Sequence, residues 1–288
     1  MDLTTIDYSS FALNGAVDSY ITTGGVIALS VFIVAAIVNV QRFRGRVFPI
    51  FAGLVAYLAF AMAIPSIFTA LMSGNANASY AMAERPQMMA FASVLLEAVF
   101  GTLGMWFVLK GLNERFQRKG DMYFTAWGYS LGALLLFGFS SFFNYTMVLG
   151  IKTNGIEEFA RQMTENASES EVIDLVKNVT TLSHAVPLYW IALGVVIGLE
   201  FVFICEIMAL ILGAVRGELG KVWIFVSGVA YFVFLLPIQL VDSGSVAQII
   251  VALVIDVIVT VAAGAFAFNL FADRLQYKEA PKKERKRR

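Results

Sequence analysis

Seven long apolar segments, separated by short polar connections, make up most of the chain. Each segment contains about the 20 apolar residues that an α-helix needs to cross the hydrocarbon core of a bilayer. The pattern therefore predicts an all-α, polytopic transmembrane helical bundle of seven spans. The predicted spans are 22–40, 47–72, 88–109, 122–150, 188–213, 222–241 and 246–271.

The composition agrees with this class of protein and argues against others. Apolar residues make up 59% of the chain and charged residues 15%, whereas a soluble domain has about 25% charged residues. The formal net charge is zero, so no general attraction to nucleic acid is expected. The lipid bilayer is the first expected partner, and a multi-pass position in a bacterial plasma membrane is predicted.

The distribution of basic residues predicts the orientation of the spans. Of the 21 lysines and arginines, 17 lie in the connections after spans 1, 3 and 5 and in the segment after span 7. Basic residues in short loops remain in the cytoplasm. We therefore predict an external N-terminus and a cytoplasmic C-terminus.

A single transmembrane domain is predicted over 22–272. It includes one external segment and is flanked by two terminal segments. Residues 1–21 form a short external N-terminus. Residues 273–288 form a cytoplasmic basic tail, which either binds anionic inner-leaflet lipid or serves only as a topology anchor. The external segment 151–183 is acidic and carries a helical apolar pattern, which predicts an amphipathic helix that lies on the outer interface or caps the bundle. The apolar positions are Val172, Leu175, Val176, Val179 and Leu182.

Acidic residues within the spans are the strongest candidates for a functional site. Glu97, Glu200 and Asp256 lie on spans 3, 5 and 7 near the middle of the bilayer, at about 1.5 Å of depth per residue. A charge at this depth is costly, and no lysine, arginine or histidine lies within a span to neutralise it. We predict an intramembrane polar pocket that contains these acids and Asn144. It is either a proton or cation site or a set of neutral carboxyls that link helices.

A fourth acid, Glu206, lies deeper in span 5 and is predicted to extend towards the inner interface near Arg216. The other reactive residues indicate no metal centre. His184 is the only histidine and Cys205 the only cysteine, whereas a zinc site needs several such ligands. His184 is predicted to be a satisfied residue at the interface. No cofactor is assigned, because the sequence has no Walker, HExxH or GxSxG motif.

The order of several motifs resembles that of the YhfC-like intramembrane proteases, which belong to the superfamily of CAAX-type and bacteriocin-processing membrane proteases. The similarity covers about residues 42–240. It rests on Ser93-Val-Leu-Leu-Glu97 in span 3, Trp127-Gly-Tyr-Ser-Leu-Gly132 and Phe142-Phe-Asn144 in span 4, and Gly198-Leu-Glu200 in span 5. The resemblance implies the fold of that family and makes Glu97 and Glu200 the candidate catalytic residues.

The sequence departs from the family pattern where that pattern activates water. The departures are Ala98 for a second glutamate, Gly101 for an arginine, Tyr129 or Ser130 for the first histidine, and Phe201 for the arginine after Glu200. Span 6 contains Tyr231 and Gln239 but no histidine. In the family pattern, histidines act with a glutamate as the general base that activates water. The resemblance therefore implies a relative that keeps the fold of the family but lacks its catalytic activity.

Three functions remain open at this point. The leading hypothesis is a catalytically inactive protease-like protein that acts as a membrane receptor, chaperone or partner subunit and binds a membrane protein or a peptide. The second is a component of a proton- or cation-coupled transporter that uses the mid-membrane acids. The third is an active intramembrane protease with a glutamate mechanism.

Overall fold

The computed structural model describes residues 13–38, 40–41, 46–73, 86–116, 120–164 and 178–273. Regular structure in these residues is entirely helical, and seven helices are long and apolar enough to cross a membrane. The prediction of an all-α, polytopic helical bundle is confirmed. The α-helices are α1 (Val17–Val38), α2 (Phe48–Ala56), α3 (Ile64–Ser73), α4 (Pro86–Leu112), α5 (Gly120–Asn154), α6 (Ile156–Thr164), α7 (178–184), α8 (Pro187–Val215), α9 (Val222–Leu240) and α10 (Val246–Asp273).

The first span begins earlier than predicted. Helix α1 starts at Val17 rather than at residue 22. The Asn14 side chain accepts a hydrogen bond from the Ala16 backbone N–H at 3.1 Å, and Asp18 lies in the first turn, where a negative charge is favourable. A prediction from hydropathy leaves this polar first turn out of the span, although the turn is part of the regular helix in the structure.

The second span contains a π-helical segment, Tyr57–Ala63, between α2 and α3. Pro65 lies two residues after the end of this segment. Proline lacks a backbone N–H and clashes with the carbonyl four residues before it, and a locally wider turn is one way for a helix to accommodate it. The second span is distorted in this way before Pro65, whereas Pro237 lies inside α9 without interrupting that helix.

Contacts between residues divide the chain into two compact units. Unit 1 comprises Met1–Ser30, Leu134–Gly198 and Val241–Leu253. Unit 2 comprises Val31–Ala133, Leu199–Leu240 and Val254–Arg288. The single transmembrane domain over 22–272 stays a prediction.

Unit 1 contains a hydrophobic core in which the short helices α6 and α7 take part. Val179 and Leu182 of α7 are 2% and 1% exposed. They therefore belong to the apolar core of unit 1, while Val172, Leu175 and Val176, the other apolar positions of the predicted amphipathic helix, lie outside the described residues. The buried residues around them are Val17, Ile21, Met147, Val148, Ile151, Phe159, Ala185 and Trp190.

Polar contacts in unit 2 bring together connections that the topology places on the same side. The Arg46 guanidinium, after α1, donates a hydrogen bond to the Arg115 carbonyl, after α4. The Arg216 guanidinium, after α8, donates to Asn113 Oδ1 at 2.9 Å. The connections after spans 1, 3 and 5 therefore share one end, as predicted, and their assignment to the cytoplasm rests on their basic residues.

Polar contacts in unit 1 group the opposite ends of the spans. Lys152, at the end of α5, forms an ion pair with Asp18 at 2.8 Å. The Val186 backbone N–H, before α8, donates to the Ser243 carbonyl, before α10, at 2.9 Å. These ends belong to the side that is predicted to be external.

Thiol labelling tests the predicted orientation. In a Cys205→Ser background, Asn154→Cys places a thiol at the end of α5, and Glu218→Cys places one between α8 and α9; both positions are exposed. A membrane-impermeant maleimide should label residue 154 in intact cells and residue 218 only after lysis. The reverse result would invert the topology.

Candidate functional site

Two glutamates and three tyrosines form a cluster within the membrane-spanning helices of unit 2. Glu97 lies on α4, Glu200 on α8, Tyr129 on α5 and Tyr231 on α9, while Tyr57 begins the π-helical segment. Tyr129 and Tyr231 are fully buried, and Tyr57 and Glu200 are each 4% exposed. We call these five residues the Glu–Tyr cluster.

The two carboxyls of the cluster are linked to it in different ways. The Tyr231 hydroxyl donates a hydrogen bond to Glu200 Oε1 at 3.1 Å. Glu97, which is half-buried, lies close enough to Glu200 for an electrostatic interaction. Among the described residues, no cation forms an ion pair with either carboxyl. The pair is therefore suited to holding protons or to binding a cationic or hydrogen-bonding ligand.

Gly101 allows two of the tyrosines to approach α4 closely. A Cβ atom at this position would lie 2.6 Å from the Tyr129 hydroxyl oxygen and 3.0 Å from Tyr231 Cε1. Glu97 lies one turn earlier on the same face of α4. The Tyr57 and Tyr129 rings pack edge to face with their centroids 5.1 Å apart. The absence of a side chain at residue 101 thus brings hydroxyls from α5 and α9 beside the carboxyl of α4.

Several hydroxyls in and beside the cluster have no hydrogen-bond partner among the described residues. The Tyr129 hydroxyl lies near Tyr231 but makes no hydrogen bond of suitable geometry. Thr102, Ser130 and Ser227 also have buried, unpartnered hydroxyl oxygens, and Ser227 lies one turn before Tyr231 on α9. Buried polar groups are normally satisfied. The cluster can therefore make further hydrogen bonds to water or to a ligand.

The structure brings two of the four predicted pocket residues together. Glu97 and Glu200 interact, but no described contact joins either of them to Asp256. Asp256 is fully buried on α10, and neither of its carboxyl oxygens has a hydrogen-bond partner among the residues that the structure describes. Asn144 is half-buried on α5 in unit 1, whereas the three acids belong to unit 2. A pocket shared by all four residues stays a prediction.

The Glu206 carboxyl lies against Gly264 of α10, and no described contact joins it to Arg216. Its Oε1 atom would lie 2.6 Å from a Cβ atom built on Gly264 of α10, and its Oε2 atom is buried without a partner. Arg216 is bonded to Asn113. Gly264 leaves room for the carboxyl against α10, and this packing space is not visible in the sequence of span 5.

His184 lies outside the Glu–Tyr cluster and is satisfied, as predicted. Its Nε2 atom lies 3.2 Å from Asp242 Oδ1, and both side chains are exposed. Within the described ranges, no three histidine, cysteine, aspartate or glutamate residues are grouped so that they could hold a metal ion.

Tyr57 is the member of the cluster that the sequence does not predict. It lies in an apolar span with no polar neighbour along the chain. The available signal is a phenolic hydroxyl far from either end of a span, since membrane tyrosines are usually found at the interfaces.

The Tyr231–Glu200 hydrogen bond leads to a prediction about stability. Tyr231→Phe should destabilise the protein by about 1–3 kcal/mol, because it leaves a buried carboxyl without its donor. Tyr129→Phe is the matched control, since it removes a buried hydroxyl that has no partner and should be neutral or stabilising. Unfolding midpoints in detergent measure both effects, and equal midpoints for the two variants would contradict the role of the bond.

No match to the chain was found among protein-family models, curated proteins or solved structures. The fold and the seven apolar helices identify a multi-pass membrane protein. The resemblance to the YhfC-like proteases stays a prediction.

Proposed function

We propose that this chain is a membrane receptor or partner subunit, related in fold to the YhfC-like intramembrane proteases but without their hydrolytic activity. The observation that carries the proposal is the convergence of Glu97, Tyr129, Glu200 and Tyr231 in unit 2. The resemblance places catalytic residues at the first three positions and a histidine on the span of the fourth. Positions that are far apart in the sequence, and that the resemblance compares with catalytic positions, are therefore neighbours in unit 2, and this supports the proposal.

The chemistry of the cluster favours binding over hydrolysis. An imidazole takes up and releases a proton near neutral pH, whereas a phenol keeps its proton until about pH 10. The only histidine of the chain, His184, belongs to unit 1 and bonds to Asp242. Tyrosine hydroxyls and carboxyls instead form hydrogen bonds with the amide or amine groups of a peptide. The cluster is thus suited to bind a peptide group by hydrogen bonds but not to activate water for the hydrolysis of that group.

An apolar hollow along α4 suggests where a membrane-embedded partner docks. Leu95 lines the hollow, whereas Glu97, two residues later, lies on a different face of the same helix. A surface of this kind fits the apolar face of a partner transmembrane segment. The residues that line the hollow are Gln87, Met88, Phe91, Ala92, Leu95 and Leu240.

Site-specific photo-crosslinking tests this function. A photoreactive phenylalanine analogue at Phe91 lies in the hollow, whereas the same analogue at Phe225 of α9, which is 74% exposed, is the matched control. In native membranes, residue 91 should crosslink to one defined membrane protein or peptide that residue 225 does not reach. The captured partner should be intact.

Two outcomes would contradict the proposal. The first is crosslinking to lipid alone at both positions. The second is recovery of the partner as fragments whose release is abolished by Glu97→Gln or Glu200→Gln, because this result would make the protein an active glutamate protease.

A specific observation also favours a second function, that of a proton- or cation-coupled carrier component. Glu97 and Glu200 have no cationic partner among the described residues, and the Tyr129 hydroxyl of the same cluster has no hydrogen-bond partner there either. If the protein is such a carrier, it should transport protons when it is reconstituted in proteoliposomes. Glu200→Gln should abolish this transport. Glu158→Gln, at an exposed carboxyl of α6, is the control and should leave transport unchanged. Proton flux equal to that of empty liposomes would rule out this function under those conditions.

A further inference from the structure

The π-helical segment Tyr57–Ala63 divides the second span, in unit 2, into two halves that are held differently. Before the segment, the backbone of α2 lies directly against that of α5 at Gly53 and Gly128. After the segment, none of the α3 residues whose side chains the structure describes is buried, and Ile67 and Leu71 are 58% and 70% exposed. One half of the span is therefore fixed to a neighbouring helix, whereas the other half lies at the periphery.

The segment itself packs against glycines of α4 beside the Glu–Tyr cluster. A Cβ atom at Gly101 would lie 3.6 Å from Ala61 Cβ, and one at Gly104 would lie 2.7 Å from Phe60 Cβ. Ala61 is 5% exposed, and Tyr57, the first residue of the segment, is itself a member of the cluster. Gly101 is also the residue that the other two tyrosines of the cluster approach. The segment therefore covers the cluster on the side of the second span.

The geometry of a π-helix makes a movement possible at this point. Its backbone hydrogen bonds join residues five apart, whereas those of an α-helix join residues four apart, so a π-helical turn holds about one residue more. Conversion of the segment to an α-helix exchanges one set of backbone hydrogen bonds for the other and passes the extra residue to an adjoining helix. That helix then rotates by about 100° and moves by about 1.5 Å along its axis.

The contacts of the two halves decide which helix moves. Rotation of α2 would break the backbone contact at Gly128, whereas rotation of α3 gives up the stacking of Phe68 on Phe100, whose ring centroids lie 5.6 Å apart. We infer that Tyr57–Ala63 is a hinge about which α3 rotates, and that this rotation withdraws Ala61 from α4 and opens the Glu–Tyr cluster on this side. The control of access rests on the function proposed for the cluster, but the rotation itself does not.

Distance measurements by electron paramagnetic resonance on the full chain in lipid test the hinge. In a Cys205→Ser background, one pair of nitroxide labels joins Ile67→Cys of α3 to Phe225→Cys of α9. The control pair joins Phe51→Cys of α2 to the same residue of α9, and these three positions are 58%, 74% and 60% exposed. The α3 pair should give two distance populations up to about 8 Å apart, which is the displacement that this rotation gives a group about 5–6 Å from the helix axis. The α2 pair should give one population.

Deletion of Ala63, an exposed residue of the segment, provides a second variant. It removes the extra residue and leaves a continuous α-helix with α3 in a single position, so the α3 pair should then give one population. A single population for the α3 pair in the undeleted chain, as narrow as that of the α2 pair, would overturn the inference whether or not the deletion variant folds. Two populations that persist after the deletion would overturn it as well, because the movement would not arise in the segment. Neither result bears on crosslinking at Phe91, so the hinge and the proposed function can fail separately.

Discussion

Replacing Gly128 with valine is expected to abolish accumulation of the folded protein. A Cβ atom at residue 128 would lie 1.9 Å from the Ile50 carbonyl oxygen and 2.6 Å from the Ile50 carbonyl carbon. Both atoms belong to the backbone of α2, so no side-chain rotation relieves the clash. Forcing extra atoms into a packed interior costs about 1–3 kcal/mol or more, and a clash with backbone atoms belongs at the upper end. Size-exclusion chromatography in mild detergent should show aggregate in place of a monodisperse peak.

Gly138 provides the matched control on the same helix. A Cβ atom at Gly138 meets no atom within 4 Å, so Gly138→Val introduces the same side chain into α5 without a clash. Its effect should stay within about 1 kcal/mol, since valine is not a worse helix former than glycine. Equal losses of folded protein in both variants would show that valine in α5, rather than contact with α2, is responsible.

The contact between α2 and α5 also positions the Glu–Tyr cluster. At Gly53, a Cβ atom would lie 2.0 Å from the Thr125 carbonyl oxygen, so each helix uses a glycine to approach the other. Tyr129 follows Gly128 directly, and Tyr57 lies one turn after Gly53. The edge-to-face contact of the two rings thus depends on the backbone approach. The Trp-Gly-Tyr motif, read in the sequence as part of a family resemblance, has this packing role in the structure.

The number and bounds of the spans could be predicted because the bilayer imposes a length on every apolar helix. Span 6, predicted over 222–241, is observed as Val222–Leu240. The prediction fails where polar residues extend a helix beyond the apolar core, as in the first turn of α1. It also fails where a backbone distortion leaves the apolar pattern unchanged, as in the π-helical segment before Pro65.

The candidate site could be predicted only in part, for a different reason. The cost of charge in a membrane singles out Glu97 and Glu200 from the sequence alone. The cost of a neutral hydroxyl is smaller, so Tyr57 carries no comparable signal. Which acids come into contact depends on how the helices are rotated and packed, and the depth of a residue along its span does not determine this. Asp256 lies at the same predicted depth as Glu97 and Glu200, but among the described residues no contact joins it to either of them.

Removal of the Arg46 side chain is expected to destabilise the protein by about 3–5 kcal/mol. The backbone N–H, Nε and Nη2 of Arg46 donate to the Asp121 carboxylate at 2.9, 3.1 and 2.8 Å. The Asp121 side chain is fully buried, whereas that of Arg46 is 35% exposed. Arg46→Ala therefore takes away a counter-charge and two hydrogen bonds from a buried carboxylate. Thermal unfolding in detergent should show a clear fall in the midpoint.

An exposed ion pair provides the comparison for this effect. Arg161 pairs with Glu158 at 2.8 Å, but these side chains are 69% and 39% exposed. Hydrogen bonds from Arg161 and Gln162 hold the pKa of Glu158 below its usual value, yet solvent screens such a pair. Arg161→Ala should therefore leave the unfolding midpoint close to that of the wild type, because exposed ion pairs contribute little to stability. A comparable loss in both variants would show that removing an arginine, rather than stranding a buried charge, causes the effect.

The double variant Arg46→Ala/Asp121→Ala separates the two contributions to the loss. If the single variant is unstable because Asp121 is left charged and buried, removing that carboxyl should restore part of the stability. The double variant should then unfold at a higher temperature than Arg46→Ala alone. If it unfolds at a lower temperature, the Asp121 carboxyl stabilises the protein by other contacts, such as the hydrogen bond it accepts from the backbone N–H of residue 46, which Arg46→Ala keeps and the double variant loses.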